Sequence, residues 1–587
     1  MAYQIIQEIC SCCHLCDLQC PVHALEMKGN KYQINPEICI GCGKCAKNCH
    51  NRAIVDTDAP AAKPEAHEKA VKECDVLVIG GGGSGLVAAA KAADLGKKVI
   101  LMEKNWETGG SAYFGHMMRC HFSKWHEAAG MKDKRAKLLE NYKKKTGERG
   151  KPELASTCLR ANRELIDWLI DLGELQKGFE FGETRFGKDI AYNHYEKLNE
   201  LRSDPSIGPG DSGWYICKLL TELFESKGGE ILLNTQAVKL LTDGDAVVGA
   251  IGKDPGGEVE IHAKSVIVAS GTYSRNKRIM DKMQPVFYRD FEHSPIHIYA
   301  CSTCTGDGID LCDEIGADIN YEEKRSCIFG PIHHPFSYSV LMLLRYADAS
   351  SVLVDRDGNE INMEGVQPMT EIGVLNDKPG RIGWSIIDQR AWDESVEMAS
   401  KSSDKDDHMA LAHVDRDLAG ELRDGSVVKA DTIEELAQKM GWDPAKLQAI
   451  VDAKNERTRK GGPGMPPPPP PMDDDDDHEG ELDPMVMMMA GFPKAHELVE
   501  GPFYAIRQGC FQENAIGGME VDGHTRVLRG GKPIPGLYAT GDTTRGIMLS
   551  GDIGVMFIEG VLSAMTYAMC SGYVAAQEAC GLTAEPL

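Results

Sequence analysis

Apolar runs broken by glycines divide the chain. Residues 75–79 form a short, nearly continuous apolar run and predict a buried strand. A Gly-rich turn leads into an Ala-rich stretch, 86–95, which predicts a helix stopped by Gly96, and 99–102 predicts a second strand. The stretch 130–230 has a largely helical pattern, and 231–271 switches to short strands ending at Val266-Ile267-Val268-Ala269-Ser270-Gly271. Signals weaken between 275 and 500. They strengthen after 502, where 537–540 predicts a strand, Gly541-Asp542 a turn, and 554–575 a helix.

The weak middle region holds a low-complexity insert of six prolines (466–471) and five aspartates (473–477). Such a composition cannot bury a core, so 461–483 reads as an exposed, disordered loop. Residues 59–74 read as a linker around Pro60 and Pro64. At 587 residues with 42% hydrophobic content, the chain is long enough for several domains with sizeable cores.

Charge removes some function classes. The formal net charge of −25 offers no basic footprint for nucleic acid, and Lys143, Lys144 and Lys145 read as a solvated helix face. No apolar run approaches the roughly 18 residues of a membrane helix, so no integral membrane segment is expected. The first residues lack the basic and apolar regions of a signal peptide. Twenty cysteines without an export signal read as metal ligands in a reducing cytoplasm.

Nine of those cysteines precede residue 58. Cys10, Cys13, Cys16 and Cys20 have the spacing C-x2-C-x2-C-x3-C, followed by Pro21; Cys39, Cys42, Cys45 and Cys49 repeat it. In such runs the first three cysteines wrap one cubane and the fourth reaches the other. Cys10, Cys13, Cys16 and Cys49 are therefore expected on one [4Fe-4S] cluster, and Cys39, Cys42, Cys45 and Cys20 on a second. Zinc sites use paired C-x2-C arms instead. Cys12 falls outside the pattern. Residues 1–58 resemble the bacterial two-cluster ferredoxins, except that His50 stands where a proline is usual.

Gly80, Gly82 and Gly85 form G-x-G-x-x-G between the first strand and helix. Gly80 makes the turn, Gly82 admits a pyrophosphate, and Gly85 lets helix and strand pack closely. Glu103, ending the next strand, is placed to accept a ribose hydroxyl. Gly109-Gly110-Ser111, the strand end at Gly271, and 535–542 favour FAD over NAD.

These segments resemble the FAD-binding family of fumarate reductase, succinate dehydrogenase flavoprotein and 3-ketosteroid dehydrogenase over 75–276 and 500–575. The resemblance implies an α/β fold: a two-part Rossmann-like FAD domain (75–276 and 501–587) with an inserted α+β capping domain (277–500), preceded by the small α+β ferredoxin-like domain. It implies FAD contacts from Gly80, Gly82, Ser84, Gly85, Glu103, Lys104, Gly109, Gly110, Ser111, Val238, Gly271, Gly541, Asp542, Gly554 and Val555, with Asp542 near the ribityl chain. No His follows the Gly-Gly segment directly, so non-covalent FAD is expected.

The family's substrate residues transfer poorly. Glu360 stands at the position of its proton-donating arginine, Asn514 at that of a substrate-binding histidine, and Arg545 comes too early for its carboxylate-binding arginine. Met117, Met118, Phe511, Met548 and Leu549 suggest an apolar pocket. Candidate active-site groups are Glu360, Cys304, Asn514, His116 and Arg545, with Cys120 and His121 near His116. Cys304 precedes Thr305-Gly306-Asp307-Gly308, a turn that in the family lies near the isoalloxazine. Cys301, Cys304, Cys312, Cys327, His333 and His334 match no standard metal-site spacing.

The Arg-poor pocket looks similar to that of ferredoxin-fused alkene reductases of acetogenic bacteria, of the isoprene reductase kind. The expected function is reduction of a C=C bond in a small apolar unsaturated substrate, fed by soluble ferredoxin or another low-potential donor. An enone or enoate reductase, and an electron-transfer subunit with no organic substrate, are the alternatives. A homo-oligomer is left open.

Overall fold

The computed structural model describes the chain except residues 1–2, 8–9, 11–15, 17–19, 23, 29–30, 48, 50–51, 59–69, 115–119, 185–186, 193–211, 284–296, 299–300, 302, 322–346, 348–349, 362–377, 379–381, 402–410, 412–413, 416–417, 424, 461–494, 510, 513–516 and 548–563. Residues 59–69 of the expected linker, the Pro/Asp-rich loop, Cys13, His116, Asn514, Gly554 and Val555 lie outside the described residues, whereas 70–74, also expected as linker, are strand.

The largest sheet is built on Ala70–Ile79, Val99–Met102 and Glu230–Leu232, all parallel. Val76 to Ile79 and Val99 to Met102 are buried, which explains why they read as continuous apolar runs. The first strand starts at Ala70, five residues before the apolar run, because its early half pairs with Glu258–Val268 from Val259↔Ala70 onward. Here alternation replaces continuity: Val71 is exposed and Cys74 buried.

Strand Glu258–Val268 forks the sheet. Its first half pairs antiparallel with Ala246–Lys253, and its last three residues pair parallel with Leu537–Ala539 of Lys532–Ala539. Helix Gly83–Asp94 crosses between the first two strands and is buried along nearly its whole length. Ala564–Ala579 packs on it, with Gly572 admitting the backbone of Ser84. The expected start of that last helix, at 554, lies outside the described residues.

The stretch 130–230 contains helices Arg135–Thr146, Pro152–Asp171 and Ser212–Ser226, as its pattern predicts. It also contains an antiparallel hairpin, Phe179–Thr184 with Gly187–Tyr192, which is not helical. Alternating Phe179 and Phe181 suit a strand, and Gly178 ends the helical path at a place where a Cβ would strike the Tyr215 ring at 2.1 Å.

The inserted unit is built on a four-stranded antiparallel sheet ordered Val352–Asp355, Ile382–Asp388, Phe503–Gly509, Val427–Ala430. The chain thus crosses this sheet at 503–509 before rejoining the nucleotide-binding sheet at 532–539. Helices Ile433–Met440 and Pro444–Arg459 cover one apolar face through Leu436, Leu447 and Val451.

A buried polar knot ties this unit together. Asp388 is fully buried and accepts hydrogen bonds from the amides of Ala391 (2.9 Å), Val499 (3.1 Å) and Glu500 (3.2 Å). Its Oδ1 is 3.2 Å from His496 Nε2, and His496 Nδ1 is 3.0 Å from Ser350 Oγ. Burial opposes ionisation of Asp388, but these hydrogen bonds, that of His496 foremost, outweigh it and hold the carboxyl below its ordinary range. Lys454 Nζ donates to the carbonyl of His496, and burial pushes this ammonium down to about 8.

A depressed carboxylate stabilises the fold fully above its unfolded pKa, and that contribution is lost as pH falls through the folded value. Asp388→Asn is expected to cost about 2–3 kcal/mol near neutral pH by urea unfolding, with the gap to the parent narrowing below about pH 4. An unchanged gap at about pH 3 would contradict the ionised state of Asp388.

Candidate functional site

The groove at the carboxyl ends of the parallel strands is built from glycines. At Gly80 (φ 106°) a Cβ would lie 2.4 Å from the Ala269 carbonyl oxygen, and at Gly85 a Cβ would lie 1.8 Å from the Gly80 oxygen. Both contacts are backbone to backbone, so neither position tolerates a side chain. Gly82 differs: the nearest atom to a Cβ there is the Gly109 oxygen at 3.9 Å. Its side-chain position has room ahead of helix Gly83–Asp94, whose N-cap, being glycine, supplies no side-chain cap to the first-turn amides. A diphosphate fits such a cradle, with the helix dipole favouring its charge.

Glu103 ends the second strand and is buried. Its Oε2 accepts from Gly81 N at 2.6 Å and its Oε1 from Asn105 N at 2.6 Å, which locks the carboxylate beside the glycine turn. Gly109 N donates to Gly81 O at 2.7 Å, laying the Gly109-Gly110-Ser111 loop along Gly82. Lys104 Nζ contacts Thr305 Oγ1 (2.5 Å) and Asp307 Oδ2 (2.8 Å), pinning helix Asp307–Glu314 to the groove.

The opposite wall returns from the end of the chain. Gly271 N donates to Thr543 Oγ1 at 2.9 Å, and Gly308 N to Ser270 Oγ at 3.1 Å. Gly541 N donates to Ser571 Oγ at 3.0 Å, and a Cβ on Gly541 would lie 2.8 Å from Ser84 Oγ. Asp542 has no hydrogen-bond partner among the described residues. It keeps some surface on the groove, yet it is so deeply enclosed that lost hydration pushes its carboxyl up to about 6. An unpartnered acceptor in that position suits the hydroxyls of a ribityl chain.

The structure therefore gathers Gly80, Gly82, Ser84, Gly85, Glu103, Lys104, Gly109, Gly110, Ser111, Gly271, Gly541 and Asp542 about one groove. Val238 is exposed on Gln236–Asp243. Cys304 also belongs to the groove wall, its Sγ 3.2 Å from Ser111 Oγ. Glu360 does not join this group: in the inserted unit its Oε1 accepts from Arg457 Nη2 at 2.6 Å. Arg545, two residues beyond Thr543, donates to the Arg149 carbonyl at 2.6 Å and lies 3.8 Å from Glu520, which pairs with Lys151 at 2.5 Å. Asn105 and Thr543 carry no sequence signal of their place here. Cys301, considered from the sequence only as a metal-site candidate, lies in this wall beside Cys304.

The cysteine-rich segment folds as two copies of one backbone pattern. Cys10 N donates to Ile6 O and Cys39 N to Asn35 O. Ile6 N donates to Ala53 O and Asn35 N to Ala24 O, each at 2.7 Å. Ala24 N donates to Cys20 Sγ (3.2 Å) and Ala53 N to Cys49 Sγ (3.1 Å). Each loop thus begins beside the segment that follows the other run's fourth cysteine. Cys20, Cys39, Cys42 and Cys45 line one cavity walled by Tyr3, Leu25 and Ile34. Among the described residues no three His, Cys, Asp or Glu side chains form a metal-holding group, so it is the donor set and the cavity that fit a cluster. Arg52, three residues beyond Cys49, lies over the Trp106 ring at 5.1 Å and reaches Asn234 Oδ1 at 3.5 Å, which seats this module on the loop after Glu103.

Gly82→Ala is expected to leave the flavin-free protein's urea midpoint unchanged while weakening FAD retention at least about tenfold, because only the cofactor's space is filled. Gly85→Ala is expected to lower the midpoint itself. A Gly82→Ala protein that keeps its yellow colour on gel filtration as the parent does would count against this cradle.

Among the described residues no helix is long and apolar enough to cross a membrane. The NADH:fumarate oxidoreductase of Klebsiella pneumoniae is 25% identical over 531 residues, covering 90% of this chain and 50% of that protein. The chain thus spans half the length of that relative. The vinyl phenol reductase of Lactiplantibacillus plantarum is 23% identical over 502 residues, covering 81% of this chain and 91% of the relative. The fold is similar to the open conformation of a flavocytochrome c3 fumarate reductase, with a TM-score of 0.61, 23% identity, and coverage of 87% of this chain and 78% of the other. The 4Fe-4S binding domain family matches residues 32–55. Residues 75–550 match the FAD binding domain family, and with four-fifths of its length so matched around a groove shaped for that cofactor, the chain belongs to it.

Proposed function

We propose that this chain is a reductase in which two [4Fe-4S] clusters feed FAD, and that it reduces the C=C bond of a small apolar unsaturated substrate, alkene- or isoprene-like. The observation that carries this reading is the seating of the cysteine module, through Arg52 and Trp106, on the loop that follows Glu103. FAD, when bound, supplies hydride chemistry at the substrate carbon. When bound, its phosphates would be held at Gly82, its ribose at Glu103 and its ribityl chain at Asp542.

Two clusters, not one, are supported by the doubled backbone pattern. The first assembles on Cys10, Cys13, Cys16 and Cys49; the second on Cys39, Cys42, Cys45 and Cys20. Amide hydrogen bonds to Cys20 and Cys49 stabilise the more negative, reduced state and so tune each potential. The electron source is soluble ferredoxin or a similar low-potential donor.

The substrate class rests on charge. Glu360 stands where a fumarate-type site has an arginine, and it is paired with Arg457. Arg545 is held by Glu520 and a backbone carbonyl. Neither supports binding of a second substrate carboxylate, and a relative named for vinyl phenol reduction is consistent with an uncharged alkene.

The test is reoxidation of the viologen-reduced holoenzyme by a panel of alkenes, enones and unsaturated acids. Apolar alkenes are expected to reoxidise the flavin, and fumarate at least about a hundredfold more slowly, the equivalent of roughly 2.7 kcal/mol of lost transition-state binding. Fastest turnover of enones or of fumarate would replace the substrate assignment, and turnover of none would favour an electron-transfer subunit. Cys20→Ser is expected to remove one cluster's electron paramagnetic resonance signal and Cys49→Ser the other; loss of one common signal in both variants would refute the crossed ligation.

A further inference from the structure

Cys301 and Cys304, separated by two residues, both lie in the groove wall, and the reduction proposed above assigns neither of them a step. Cys304 N donates to Cys301 O at 3.0 Å, closing a tight turn. A four-residue turn keeps its end Cα atoms within about 7 Å, and a disulfide needs about 4.4–6.8 Å. The two side chains pack against each other, 0% and 5% exposed, and are not bridged in this structure.

The pair is clasped by the loops that bound the cofactor groove. On one side Ser111 Oγ is 3.2 Å from Cys304 Sγ and accepts from Cys301 N at 3.3 Å. On the other, a Cβ on Gly271 would be 3.8 Å from Cys304 Sγ, and Gly271 is held by Thr543, next to Asp542. Burial, and then the neighbouring Cys301 sulfur, push the Cys304 thiol up to about 12, so it keeps its proton at neutral pH. Sulfurs this enclosed are out of reach of bulky soluble oxidants, and the redox group that the groove they wall would hold is the flavin.

We propose that Cys301 and Cys304 form a redox-active dithiol–disulfide pair that exchanges two electrons and two protons with the flavin. In the oxidising direction both S–H bonds break and one S–S bond forms. The two electrons and two protons pass to oxidised flavin, which becomes reduced. In the other direction the S–S bond breaks, both thiols regain their protons, and reduced flavin is oxidised. Atoms and electrons balance between these two partners alone. The pair would hold a reducing equivalent in the wall of the cofactor groove, matched to the two-electron demand of C=C reduction.

The test is an anaerobic dithionite titration of the air-oxidised holoenzyme, followed by flavin absorbance, beside the Cys301→Ser/Cys304→Ser double variant. The parent is expected to take up one more two-electron equivalent per chain. Acid quenching and alkylation of the parent provide a readout that needs no variant. The peptide carrying both cysteines is expected to be blocked in oxidised enzyme and to gain two labels after the titration. Full labelling of both thiols in air-oxidised enzyme overturns the proposal, whatever the variant does.

Discussion

The groove depends on two backbones touching where no side chain can stand. The Gly80 carbonyl and the Gly85 α-carbon meet so closely that a Cβ would sit 1.8 Å from the oxygen. This contact lets helix Gly83–Asp94 lie flush on the sheet with its first-turn amides facing the space ahead of Gly82. Against that fixed edge Glu103 is locked, the Gly109–Ser111 loop is laid down, and the returning segment at Gly541 closes the wall. A helix displaced by one methyl group would widen the gap and misplace all three. Packing, here, sets the electrostatics.

Much of this was legible in the sequence because its causes are local. Glycines at three fixed offsets, the two apolar strand runs and an acid at a strand end each leave a mark within a few residues. The paired cysteine spacing is equally local. What escaped was long-range. Phe503–Gly509 carries no sign that it pairs with Ile382–Asp388 instead of the nucleotide-binding sheet. The Asp388–His496–Ser350 knot joins residues over a hundred positions apart. The hairpin at 179–192 sits within a helical pattern and is decided by a glycine that Tyr215 crowds.

The candidate substrate residues show the same division. Cys304 was found through its adjacency to a local turn, and it does lie in the groove wall. Glu360 and Arg545 correspond to distant family positions, and each is engaged in ion pairing, Glu360 with Arg457 and Arg545 beside Glu520. Burial and charge pairing, which position alone does not encode, separate these cases. The engagement of Arg545, and a carboxylate at 360 instead of an arginine, are what turn the functional reading away from dicarboxylates.

The forked strand has a consequence for biosynthesis. Glu258–Val268 receives its antiparallel neighbour at once, from the residues just before it, but its parallel neighbour at 537–539 is some 270 positions downstream. During translation the half-finished sheet must wait, one edge bare, while the whole inserted unit emerges from the ribosome. Contacts of such sequence separation form slowly, and a bare strand edge is an aggregation hazard. The cofactor groove is thus completed only after the inserted unit has been made, because its closing wall at Gly541 follows strand 532–539.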